Sequence, residues 1–124
     1  MPRTKKPWTC LFYLCGDNYL AKDVEDDFRE ICAAGASPAL NVAVQIDRPT
    51  GAARYVLPER PRRRPPAPVA DLGNVNTGDP AAAIDFLSWG MREFPSTRLA
   101  VILSGPGLPT IPRTGRAAGP ARAQ

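Results

Sequence analysis

Trp8-Thr9-Cys10-Leu11-Phe12-Tyr13-Leu14-Cys15, closed by Gly16-Asp17-Asn18, is the stretch whose reading decides the fold. An aromatic and aliphatic run without polar alternation suits a strand buried on both faces, the kind found in parallel sheets covered by helices. The turn after it feeds a helix. Leu20, Val24, Phe28 and Ile31 recur at helical spacing, while Lys22, Asp23, Glu25, Asp26, Asp27, Arg29 and Glu30 fill the other face. Asp17 or Asn18 can cap the first turn of this helix, and Gly35 can end it.

Working toward the carboxyl end, Asn41-Val42-Ala43-Val44-Gln45-Ile46-Asp47 alternates, with Val42, Val44 and Ile46 on one face, and stops at the turn sequence Arg48-Pro49-Thr50-Gly51. Ala53 to Leu57 reads as a short third strand, placed at a sheet edge because Pro58 cannot donate to a ladder. Asp79-Pro80 sets a capping carboxylate before a proline at the first helical position. Ile84, Leu87, Met91 and Phe94 are the expected apolar stripe of that helix, with Trp89 at its margin. Pro95-Ser96-Thr97 ends it, and Leu99 to Leu103 follows as a strand with the apolar continuity of a central position. This order predicts an α/β fold with right-handed crossovers, a three-layer sandwich around a mostly parallel sheet.

The 124 residues, 44% of them apolar, suffice for one small domain. Glycine and proline are concentrated in residues 58–68 and beyond Gly105. Both stretches lack the apolar side chains that offset the entropy of ordering, about 1–2 kcal/mol per residue, so no fixed structure is predicted for the 58–68 loop or the 108–124 tail. The two stretches hold Arg60, Arg62, Arg63, Arg64, Arg113, Arg116 and Arg122 against the single acid Glu59, and the net charge of the whole chain is +4. Without interleaved aromatics for base stacking, a solvated loop is the preferred reading over a nucleic-acid interface. Cys10, Cys15 and Cys32 are odd in number and lack metal-type spacing, so reduced, buried thiols are expected. The apolar run behind Arg3, Lys5 and Lys6 is short and leads into Asp17 rather than a cleavage site, which predicts a cytoplasmic chain. No stretch approaches the ~20 apolar residues of a membrane span.

Reactive groups in α/β proteins collect beyond the carboxyl ends of strands, and there the chain offers Ser104-Gly105-Pro106-Gly107. The chain contains no histidine. Cys15 stands at a strand end, and nothing in the sequence supplies it with a base. Ser104-Gly105 lacks the flanking pattern of a hydrolase elbow. Asp17, Asp47 and Asp79 all fall at element ends and could converge on a cation, although capping and turn roles account for each of them.

Taken together, the segments resemble the clostripain family of cysteine peptidases, whose fold belongs with caspases and gingipains. The resemblance runs from Lys6 to Gly107. It rests on Trp8-Thr9 opening a strand that ends in Gly16-Asp17-Asn18-Tyr19-Leu20, on Asn41 to Arg48, on Arg54-Tyr55, and most distinctively on Leu72-Gly73-Asn74-Val75-Asn76-Thr77-Gly78-Asp79-Pro80. It implies a peptidase cleaving after arginine or lysine, sometimes calcium-dependent, with a cysteine nucleophile paired to a histidine. In such relatives the histidine follows this strand in a His-Gly turn and the cysteine follows the next strand. The matching position here is Pro106, between Ser104-Gly105 and Gly107, and proline neither accepts nor donates the proton this chemistry moves. The resemblance thus implies a partial, caspase-like peptidase domain over 1–107, truncated after the strand that normally precedes the catalytic histidine. It would have no catalytic residue, and no cofactor other than the calcium of some relatives. Two functional classes follow: an inert peptidase fragment, or a non-enzymatic module that pairs with a partner or a second copy through the Leu99–Leu103 strand edge.

Overall fold

Burial on both faces places the Trp8–Cys15 run in the middle of a sheet. In the computed structural model, which describes residues 3–60, 64 and 66–105, β1 (Lys6–Cys15) has a parallel neighbour on each side. These are β2 (Leu40–Arg48) and β5 (Ser96–Ser104). Beyond β2 lie β3 (Gly51–Val56) and β4 (Ala70–Gly73), giving the order β4-β3-β2-β1-β5. Helix α1 (Ala21–Ala34) connects β1 to β2, and α2 (Pro80–Glu93) leads into β5. Among the described residues, no helix is long and apolar enough to cross a membrane.

The β1–β2 and β1–β5 pairings are parallel, whereas β2–β3 and β3–β4 are antiparallel, so the sheet is mixed. β3 is not the edge strand its following proline suggested. Leu57 donates its backbone N–H to Val42, and Pro58 stands after the last ladder bond, where its missing donor costs nothing. The added neighbour, β4, has four residues, a register shift opposite Ala52 and Ala53, and a terminal Gly73 at φ 64°.

Each face of the sheet carries one helix. On the α1 side, Val24 and Phe28 pack with Leu14, Val42, Val44, Ile46 and Tyr55, and the Phe28 and Tyr55 rings lie 4.7 Å apart. On the α2 side, Leu11, Tyr13, Ala43, Phe86 and Phe94 form the second core cluster. The polar positions of β2 face this layer and are buried, because they are satisfied there. Asn41 donates to Thr9 Oγ1 at 3.2 Å, and Arg54 Nε donates to Gln45 Oε1 at 2.8 Å. The Arg54 guanidinium also pairs with Asp85 and sits 5.6 Å and 5.0 Å from the Phe86 and Trp89 ring centres, tying β3 to α2.

That clamp sets the rotation of α2 and corrects its expected apolar stripe. Phe86 and Gly90 are the buried positions, whereas Ile84 is 61% and Met91 51% exposed. With Asp85 and Trp89 turned toward β3, the 3.6-residue period puts Leu87, Met91 and Ile84 on the opposite flank, toward β5. Only Phe94 of the expected stripe is fully buried, with Leu87 partly so. β5 itself is the outer strand among the described residues, and Leu99, Val101, Ile102 and Leu103 are exposed. Its central-strand composition thus stands at an edge.

Candidate functional site

The parallel strands β1, β2 and β5 end at one rim. Cys15 lies opposite Asp47, and Leu14 lies opposite Ser104. The segment between β4 and α2 folds over the same rim. Thr77 Oγ1 donates to Asp47 Oδ2 at 3.0 Å, and the Tyr13 hydroxyl donates to the Thr77 carbonyl at 3.1 Å. Asn76 Oδ1 accepts from Gly78 N at 3.1 Å, and Asp79 Oδ1 accepts from Ala81 N at 3.0 Å, capping α2 as its sequence predicts. The turn after β1 is held by Asn18. Its Nδ2 donates to the Cys15 carbonyl at 3.0 Å and its Oδ1 accepts from Leu20 N at 2.8 Å. Gly16 permits a close crossing, since a Cβ there would lie 2.8 Å from the Asp47 carbonyl oxygen and 2.9 Å from Val24.

The electrostatics of this rim run against a thiolate. Asp47 is 3% exposed, and burial pushes its carboxyl up, with Asp17 adding to the rise and the Thr77 hydrogen bond opposing it. Tyr13 is pushed up to about 12 by burial and then by Cys15, Asp47 and Asp79. Burial likewise raises the Cys15 thiol above its ordinary value, with Thr77 opposing and Asp47 reinforcing the shift. An activated cysteine needs the opposite, a cationic or donating neighbour that lowers the thiol. Cys10 and Cys32 are also raised by burial. All three thiols are free. Cys32 is buried as expected, while Cys10 and Cys15 are half-buried.

The charge of Asp17 is felt by Asp47 at the rim, and that of Asp79 by Tyr13. Asp79 is engaged in its cap and Asp47 with Thr77, and Asp17 is exposed. Among the described residues, no group of three or more His, Cys, Asp or Glu side chains is arranged to hold a metal ion. Calcium takes six to eight oxygens, and among the described residues the side chains of Asp17, Asp47 and Asp79 do not assemble such a set. Ser104 and Gly105 close the rim on the β5 side, where a Cβ on Gly105 would lie 2.9 Å from Cys15 Cβ. Pro106 and Gly107, expected at the family's histidine turn, lie outside the described residues, as does the 108–124 tail.

Several contacts at this rim carry no signature in composition or periodicity. The Thr77–Asp47 and Tyr13–Thr77 bonds were not legible because 30 and 64 residues separate the bonded positions. Two pieces of the family resemblance have structural work in this chain. Arg54-Tyr55 supplies the α2 clamp and, on the other face, a hydroxyl that accepts from Arg48 Nη1 at 2.9 Å. Asn76-Thr77-Gly78-Asp79 forms the turn over Asp47.

No family model matches the chain by sequence, and no curated protein does. Solved structures match it closely in shape. A cysteine protease from B. fragilis superposes with a TM-score of 0.67 at 16% identity, over 95% of this chain and 98% of that one. A clostripain from Bacteroides thetaiotaomicron, in complex with a peptide inhibitor, gives 0.67 at 13% identity, over 90% and 99%. The inactive zymogen of a C11 protease from Parabacteroides distasonis gives 0.68 at 19% identity, over 90% of this chain and 34% of that one. The chain has the clostripain fold. In the clostripain fold as this chain builds it, the rim of Cys15, Asp47, Thr77 and Gly105 is the strand-end surface from which reactive groups would project.

Proposed function

We propose that the chain is the amino-terminal part of a clostripain-like cysteine endopeptidase, of the class that cleaves after arginine or lysine, and that its 124 residues are catalytically inert by themselves. The observation that carries this reading is the state of the rim. Burial raises the one thiol at a strand end, and the carboxylate beside it reinforces that rise. No histidine exists anywhere in the chain to take its proton or to protonate a leaving amine. The likeness in fold to three cysteine-protease structures, one of them a zymogen of which the chain covers 34%, supports the reading as peptidase-like.

The test is hydrolysis of a peptide with arginine before the scissile bond, by purified chain with reducing agent and calcium. A C10A/C15A/C32A variant serves as control. No turnover above the control is expected. Turnover that the triple variant loses would overturn the reading and assign a nucleophile to one of the three cysteines.

A second reading, an interaction module working through β5, is favoured by the exposure of Leu99, Val101, Ile102 and Leu103 along the outer strand. Unpaired backbone groups on such a strand accept another strand, and the apolar side chains gain by being covered. The isolated chain is then expected to self-associate in sedimentation velocity, and Val101→Lys to return it to a monomer. A wild-type chain that stays monomeric at high concentration removes pairing with a second copy from this reading.

A further inference from the structure

At the end of the sheet opposite the strand-end rim lies a cavity of about 390 Å³, beneath the first residues of β1 and β2 and the last of β3. No residue of β5 lines it, so it stands clear of the outer margin of the sheet. Its volume falls near the lower end of the ~300–1,000 Å³ of small-molecule sites, which suits a compact ligand. Val42, Leu57 and Pro58 supply apolar walls, and Arg3, Lys6, Asn41 and Glu59 supply the polar groups.

Asn41 is 7% exposed, and its neighbours fix the orientation of its amide. Thr9 Oγ1 donates to the Phe94 carbonyl at 2.7 Å, so Asn41 presents Nδ2 to that oxygen, at 3.2 Å. This leaves Asn41 Oδ1, on a side chain that lines the cavity, without a hydrogen bond among the described residues. Buried carbonyls are hydrogen-bonded as a rule, so this one calls for a donor that those residues do not supply.

The charged groups divide between two signs. Arg3 is held with its guanidinium carbon 4.6 Å from the centre of the Phe94 ring, and among the described residues it pairs with no carboxylate. A guanidinium over a ring keeps its N–H groups available to a carboxylate. Lys6 Nζ donates to the Ser37 carbonyl at 2.8 Å and to Glu59 Oε2 at 2.9 Å, which leaves Glu59 Oε1 as a second acceptor at the cavity.

From this geometry we infer that the cavity binds a free α-amino acid with an aliphatic side chain. Its carboxylate lies on Arg3, its ammonium group is shared between Asn41 Oδ1 and Glu59, and its side chain lies against Leu57 and Pro58. A simple anion leaves Asn41 and Glu59 without a donor, and a simple cation meets the repulsion of Arg3 and Lys6.

Isothermal titration calorimetry of the full chain tests this with L-leucine, N-acetyl-L-leucine, which lacks the ammonium group, and L-leucinamide, which lacks the carboxylate. Saturable binding of L-leucine is expected, with each analogue at least tenfold weaker. Arg3→Gln, at an exposed position, should weaken L-leucine about tenfold with unchanged circular dichroism. Glu59→Gln should weaken L-leucine and leave the residual binding of N-acetyl-L-leucine unchanged, a split that a general loss of structure does not produce. No binding of L-leucine, equal affinity for either analogue, or full affinity in Arg3→Gln would each overturn the inference. So would a Glu59→Gln variant that loses both ligands in equal measure.

Discussion

Phe28→Ala is expected to remove most of the stability of this chain. Phe28 is 1% exposed at the centre of the α1 face, between Val24 and Cys32, with its ring against Tyr55. The Arg48 guanidinium lies over the ring at 5.2 Å while bonding Glu25 through two nitrogens, at 2.8 Å and 3.1 Å. Truncation leaves a cavity on the side of the sheet where α1 is the only helix among the described residues, and core phenylalanine-to-alanine changes cost about 3–5 kcal/mol. Small domains hold about 5–15 kcal/mol in total. Urea denaturation should therefore show a midpoint displaced by half or more of its value, or no cooperative transition at 25 °C. Asp27→Ala, one residue away on the exposed face, should stay within about 0.5 kcal/mol of wild type. A Phe28→Ala midpoint as close as that would show that α1 does not hold the sheet.

Gly90→Val tests the opposite layer. A Cβ at position 90 would lie 2.6 Å and 2.7 Å from the two Cδ atoms of Leu11, whose side chain is wholly buried and has nowhere to swing. The helix must lift from β1, and overpacking of this kind costs about 1–3 kcal/mol, here at the upper end because valine adds two further methyl groups. Each kcal/mol lowers the melting temperature of a domain of this size by about 4–8 °C, so a fall of more than about 10 °C is expected. The double variant Gly90→Val/Leu11→Ala should be less destabilised than the sum of its parts, since the smaller residue at 11 makes the room that valine needs. Additive effects would place the cost in the helix backbone rather than at this contact.

The ease of reading the fold from sequence tracks how locally each element is determined. β1 and α1 were legible because a continuous apolar run and a 3.6-residue repeat each settle an element without reference to the rest. The Asp79-Pro80 start of α2 was legible for the same reason, its cap being made two residues away. β4 was not, since its four residues are too few to establish a period and gain their place only from pairing with β3. The burial of the polar positions of β2 was not legible, because Asn41, Gln45 and Asp47 meet Thr9, Arg54 and Thr77 in contacts that exist only once the layers close. Arg54 likewise sets the roll of α2, which is why Ile84 and Met91 could be assigned to a helical stripe but not to its buried side. At the rim, the missing histidine was plain from composition, whereas the raised thiol of Cys15 depends on burial that only the assembled strands create.

The two margins of the sheet differ in a way that limits stoichiometry. β4 is four residues long, carries the exposed Asp71, and shifts register against its neighbour, all of which blunt a margin against further pairing. β5 offers nine residues of regular strand. Under the second reading proposed above, a copy adding through β5 would present its own β5 to the first and leave only blunt margins outward, so that pairing would close as a two-fold pair rather than grow into a fibre. Among the described residues, that reading leaves the sheet a single strand edge with which to pair.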